Sequence, residues 1–188
     1  MKILLIDNYD SFTWNLHHLL MKAGASEVDV VKNDRVDSNL IQKADALVFS
    51  PDPGLPDDAG QMKDIISQYA GGKKMIGICL GHQAIAEVYG ASLMRADEIC
   101  HGTSTCLRIL EKDFIFSGMP NNVVVGRYHS WVVSIKGFPE RLKITSTDEK
   151  GVIMSFRHKL LDITALQFHP ESILTPMGEK MIRNWMAN

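Results

Sequence analysis

The sequence predicts an α/β domain with a mainly parallel sheet flanked by helices and additional antiparallel strands in its second half. In residues 1–90, short apolar runs alternate with segments whose apolar residues recur at helical spacing. Those runs are nearly continuous in Ile, Leu, Val and Met, the pattern of strands covered on both faces. Beyond residue 100, short strand-like stretches follow one another, separated by turn residues.

Residues 2–6 (KILLI) read as the first strand and 11–23 as a helix, with apolar positions at Phe12, Leu16, Leu19 and Leu20. Strands follow at 27–31 (EVDVV) and 45–49 (DALVF), the latter ended by the breaker-rich SPDPGLPDD. A helix at 59–70, a buried-looking strand at 74–78 (KMIGI) and a helix at 82–89 complete the first half. The second half reads as short strands at 105–110, 122–126, 130–135, 141–146, 151–157 and 161–167, then a last helix at 176–186.

No repeat, low-complexity tract or linker divides the 188 residues, so one domain spanning 1–188 is expected. A net charge of −2 argues against a nucleic-acid binder, which carries a basic face. The apolar runs are too short to span a membrane. The chain enters a strand after one lysine, without the stretch and cleavage site of a signal peptide, so a cytoplasmic protein is expected. Three cysteines, Cys79, Cys100 and Cys106, lack zinc-type spacing and read as free thiols. Cys100 and Cys106 are expected to be small buried hydrophobes.

Cys79 differs because of its setting, MIGICLGHQ at 75–83. An apolar strand runs straight into it, a helix follows, and Gly77 and Gly81 flank it, the layout of a nucleophile elbow. The helix aims its N-terminal N–H groups at the sulfur, which favours a thiolate and supplies donors for an oxyanion. A cysteine merely buried at a strand end would show the same local pattern. A thiolate also needs a base. Of seven histidines, His17 and His18 lie on the first helix, and His101, His129 and His158 sit beside strands or turns. His82 follows the elbow on its helix and is expected to point away from the thiol. His169, in LQFHPES, stands just past a strand, with Glu171 two residues on. In extended geometry residues i and i+2 point the same way, so Glu171 can orient the imidazole. Cysteine, histidine and an orienting acid form a triad by role. The loop 50–58 lies at the same sheet edge, where a backbone N–H from it and that of Leu80 could form an oxyanion hole. An ordinary strand-to-helix loop is the alternative.

Five ordered motifs, LLIDNYDSFTWNL (4–16), SPDPGLPDDAG (50–60), GICLGHQAIA (77–86), GRYHSWVV (126–133) and LQFHPES (166–172), resemble the class I (triad) glutamine amidotransferases. Within that class the likeness is to the small subunits of anthranilate synthase and aminodeoxychorismate (p-aminobenzoate) synthase, and it covers essentially the whole chain. The resemblance implies a flavodoxin-like fold. It implies that Cys79 is the nucleophile on the glutamine amide, His169 the general acid/base and Glu171 its orienting partner. Gln83 and the backbone of Ser130 and Trp131 would hold glutamine. The loop Asp52–Pro53–Gly54 would contact the amide, and the N–H groups of Leu80 and Asp52 would form the oxyanion hole. It further implies no metal or organic cofactor in this chain. The partner would be a chorismate-using synthase carrying Mg²⁺, in a heterodimer or larger assembly, and the ammonia would serve tryptophan or folate biosynthesis.

Three departures from the family pattern stand out. Asp52 replaces the middle glycine of SPGPG, where glycine suits a close backbone approach or positive φ. Aspartate tolerates left-handed geometry, but its carboxylate could oppose an oxyanion. Thr103 replaces the lysine of HGK, and Trp131 the leucine after YHS. Two other readings therefore stay open: a partner-binding subunit disabled by Asp52, and a stand-alone γ-glutamyl hydrolase.

Overall fold

The computed structural model describes all 188 residues. In chain order the first half comprises β1 (Lys2–Asp7), α1 (Thr13–Lys22), β2 (Glu27–Lys32), α2 (Ser38–Lys43), β3 (Ala46–Phe49), α3 (Met62–Tyr69), β4 (Lys74–Ile78) and α4 (Leu80–Val88). The second half comprises β5 (Leu93–Arg95), β6 (Thr103–Cys106), β7 (Arg108–Ile109), β8 (Val124–Arg127), β9 (Trp131–Val133), β10 (Leu142–Thr147), β11 (Ile153–His158), β12 (Ile163–Leu166) and α5 (Gly178–Ala187). Eight strands form the main sheet in the order β2-β1-β3-β4-β12-β11-β10-β7. The first five run parallel, and β11, β10 and β7 add on antiparallel. Two small ribbons, β5–β9 and β6–β8, complete the second half.

Burial on both faces explains the continuous apolar runs. On β1, Ile3 and Leu5 face one core with Leu16 and Leu20 of α1 and Ile182 and Trp185 of α5. Leu4 and Ile6 face the other with Ile65 and Ile66 of α3 and Ala84 and Ile85 of α4. Each such aliphatic side chain, fully buried, contributes about 1.5–3 kcal/mol.

Most expected elements appear within a few residues of their expected ends. The expected strand at 105–110 is two strands in different sheets, since β6 pairs with β8 and β7 with β10. The helix expected from 59 begins at Met62, because Pro56–Asp58 form a separate 3-10 turn. The short α2, capped by the Asp37 side chain on Asn39 N–H at 2.8 Å, and the three-residue β5 were not expected. No helix is long and apolar enough to cross a membrane.

Candidate active site

β4 delivers Cys79 to the C-terminal edge of the sheet, and α4 begins at the next residue. Cys79 adopts φ 52° and ψ −97°, a conformation rare for a residue with a side chain; such strain costs about 1–3 kcal/mol and persists where packing enforces it. The two flanking glycines show the enforcement. A Cβ on Gly77 would lie 2.4 Å from the carbonyl carbon and oxygen of Gly81, and one on Gly81 would lie 2.7 Å from Phe49 Cβ and O. The turn is therefore closed by backbone-to-backbone contact that no other residue permits. The Cys79 N–H is tied to Leu166 O at 2.7 Å.

His169 arrives from the neighbouring strand, three residues past β12. Its N–H donates to Gly126 O at 3.0 Å, and its carbonyl accepts from Thr175 Oγ1 at 2.6 Å. The imidazole is 3% exposed, packed edge-on against Tyr128 (4.9 Å) and Phe12 (5.6 Å). Its Nδ1 meets Glu171 Oε1 at 2.7 Å, and the Glu171 side chain is wholly buried. The route differs from the extended geometry expected for residues 169–171. Ser172 N–H donates to His169 O at 3.2 Å, closing a turn that brings Glu171 back onto the ring. His169 Nε2 has no hydrogen-bond partner, which leaves it available for proton transfer. Burial by itself lowers the imidazole pKa, but the charges of Cys79 and Glu171 outweigh it and hold the ring well above the ordinary histidine value.

The other histidines are accounted for by packing. His82 is fully buried against Phe156 at 4.7 Å with neither nitrogen bonded, and burial, followed by the nearby His129, pushes its pKa down to about 3. His129 Nε2 accepts from Arg127 Nε at 3.1 Å. Burial, then the charges of Arg127 and His169, push it to about 3 as well. His158 Nδ1 accepts from the N–H groups of Leu160 and Leu161. The folded values of His82 and His129 lie below the ordinary 6.5. Between the two limits the unfolded chain therefore binds protons that the folded chain refuses, and stability falls as pH falls. At pH 5 the loss is about 2 kcal/mol for each histidine. Urea midpoints at pH 7 and pH 5 check this: His82→Leu should show a shallower loss than wild type, and equal losses would remove His82 from the account.

Gln83, on the first turn of α4, donates from Nε2 to Trp131 O at 3.0 Å and to Gln167 Oε1 at 3.2 Å. It thereby joins the elbow to β9. The carbonyls of both Ser130 and Trp131 are engaged within the chain, Ser130 O by Ala96 N–H at 2.9 Å. The loop 50–54 follows β3, whose Phe49 pairs with Gly77, so it lies beside the elbow as expected. Asp52 is not in the left-handed region, so its Cβ adds no backbone strain. Its Oδ2 accepts from Gly54 N–H at 3.1 Å, and Pro53 is exposed. Burial, and then the carboxylates of Asp10, Asp58 and Asp7, raise the Asp52 pKa. The side chain thus braces its own loop. Asp52→Gly is expected to lower kcat/KM for glutamine about fivefold, matching the ~1 kcal/mol of one turn hydrogen bond. A rise above wild type in steady-state glutamate release would instead mean that the carboxylate opposes the oxyanion.

Sequence reasoning did not assign Phe12, Tyr128 or Gln167 to the site, although each lies inside one of the five motifs. Phe12 was expected on the core face of α1; it precedes the helix and packs on His169 and Tyr128. Thr103 is exposed on β6, and Trp131 stacks with Arg95 at 5.9 Å.

A family model described as Glutamine amidotransferase class-I matches residues 4–188. The chain belongs to this family. Among curated relatives of this amidotransferase, the anthranilate synthase component 2 of Lactococcus lactis is 45% identical, covering 98% of this chain and 93% of its own length. The aminodeoxychorismate synthase component 2 of Klebsiella aerogenes is 41% identical, covering 98% of each. The aminodeoxychorismate/anthranilate synthase component 2 of Bacillus subtilis is also 41% identical, covering 98% of this chain and 95% of its own. A solved protein from Thermoplasma acidophilum superposes with TM-score 0.88 at 27% identity, covering 100% of this chain and 92% of its own. The amidotransferase fold is thus shared well beyond the synthase components.

Proposed function

We propose that Cys79, His169 and Glu171 hydrolyse glutamine and that the ammonia is delivered to a chorismate-using synthase subunit in the cytoplasm. The observation that carries the catalytic assignment is the buried His169–Glu171 pair facing a cysteine held at positive φ on the edge of the sheet. His169 Nε2 takes the thiol proton, and the thiolate adds to the amide carbon of glutamine. The resulting oxyanion is met by the N–H groups of Leu80, at the helix N-terminus, and of Asp52. His169 returns its proton to the amide nitrogen, the C–N bond breaks, and ammonia leaves a γ-glutamyl thioester. Water, deprotonated by the same imidazole, then cleaves the thioester to glutamate and regenerates the thiol. Gln83 Oε1, which has no partner within the chain, is a natural acceptor for a donor group of bound glutamine. Glycine54 and Pro53 frame the amide from the loop side.

The names of the relatives support the partner, each being the second component of a synthase. The surface supports it too. Tyr9, Trp14 and Ile173 are 57%, 65% and 93% exposed and flank Phe12 and Glu171 in the chain. Large apolar side chains beside a site are natural docking points. On this reading this chain carries no cofactor of its own, and Mg²⁺ belongs with chorismate on the synthase. Glutamate release is expected to rise about tenfold when the proper synthase is added, within the usual range of coupling between sites. Measuring release alone and with synthase subunits of the tryptophan and folate routes tests this. Equal turnover in every mixture would favour a stand-alone hydrolase.

A further inference from the structure

Gln167 sits one residue past β12, its side chain completely buried, directly beside the nucleophile. Its Nε2 lies 3.6 Å from Cys79 Sγ. We propose that Gln167 is a further catalytic residue, whose carboxamide N–H donates to the Cys79 sulfur, holds it as the thiolate and aims it at the substrate amide. This rests on the amidotransferase reading above.

The direction of the hydrogen bond follows from a chain of forced choices. The Trp131 carbonyl can only accept, so Gln83 must present its NH₂ group there. The same NH₂ group gives its second hydrogen to Gln167, which must answer with its oxygen. That leaves the Gln167 NH₂ facing sulfur. Both ends of the contact are fixed by backbone: Leu166 O holds Cys79 N–H at 2.7 Å, and Gln167 N–H is held by Met154 O at 2.9 Å. Leu166 and Ile78 pair across the parallel strands, so the two side chains leave adjacent strands at one level.

The plain alternative is a buried amide whose needs are met by Gln83 alone. It leaves one fact without purpose: the second end of the carboxamide is spent on sulfur, a weak acceptor unless it is charged. His169 Nε2 makes no hydrogen bond, so the two neighbours divide the work. His169 carries the proton, and Gln167 steadies the anion that remains. The same donor favours departure of the thiolate when the thioester is hydrolysed. No proton leaves Gln167 at any step.

The test is isosteric. Gln167→Glu keeps an oxygen for Gln83 to donate to and replaces the N–H facing sulfur with a second oxygen. Alkylation of Cys79 by iodoacetamide, followed by peptide mapping to separate it from Cys100 and Cys106, should slow about 10–100-fold at pH 7, the usual worth of a hydrogen bond to a charged group. The rate should recover at higher pH, and glutamate release should fall in parallel while the thermal midpoint stays near wild type. Gln167→Leu removes the donor without adding an acceptor and should slow alkylation about tenfold. Wild-type alkylation rates and pH profile in either folded variant would overturn the proposal. In the wild-type protein the Gln167 side-chain NH₂ resonances should shift on alkylation of Cys79; unmoved resonances would overturn it without any variant. Alkylation needs no glutamine. A wild-type chain that releases no glutamate, but whose variants alkylate slowly, would therefore retire the amidotransferase mechanism and leave the Gln167–Cys79 contact standing.

Discussion

Cys79→Ala lowers glutamate release by about 10⁴-fold or more, and His169→Ala, alone or added to it, lowers it by about as much. The two side chains serve one event, since a thiol without its base and a base without its thiol both leave the amide carbon unattacked. Losses from such a unit do not add. The prediction is specific to these positions. His82 and His129 are also buried and near the elbow, but His129 is committed to Arg127 and His82 faces Phe156. Only His169 has a carboxylate on one nitrogen and no partner on the other. Glutamate release by the two single variants and the double variant, with a stimulating synthase present, checks it. Multiplying losses would mean that cysteine and histidine act in separate steps.

Gly77→Ala is expected to destabilise the chain by about 3–5 kcal/mol, in the range of severe core disruptions. For a domain of this size that lowers the thermal midpoint by about 10 °C or more. The added methyl would sit 2.4 Å from the Gly81 carbonyl, and Ile85 Cδ1 is only 2.7 Å away. The side chain could rotate, but the carbonyl belongs to the first turn of α4 and cannot move without lifting the helix from β4. Activity should fall further than stability does, because the same displacement carries Cys79 and the Leu80 N–H out of place. Gly71→Ala is the control, since a Cβ there meets nothing within 4 Å. Calorimetry on both variants checks the prediction; similar midpoints would mean that the elbow has slack.

The parallel half of the fold was legible because its strands are buried on both faces and its helices keep a clear spacing. The elbow and the His169–Glu171 pair were legible because each lies within a few residues of chain. What escaped depends on contacts between distant segments. Gln167 reads as one polar residue in an apolar run, and only the pairing of β12 with β4 shows that it meets Cys79. Phe12 reads as one more apolar position at helical spacing, and its ring turns to the imidazole only because the helix starts at Thr13. The α2 helix has six residues, mostly polar, too few for a period to show. Asp52 illustrates the limit in the other direction. A family glycine suggested a special backbone, yet aspartate occupies an ordinary conformation there and caps Gly54 with its own side chain.

The central claim is that glutamine is opened through a thioester on Cys79. The most direct measurement is the mass of the chain, quenched in acid during glutamine turnover in the presence of a stimulating synthase, with the modified peptide mapped. The account predicts one added glutamyl group, on the peptide carrying Cys79, and none on the Cys79→Ala chain. Steady glutamate release with Cys79 unmodified, and undiminished in Cys79→Ala, would contradict it.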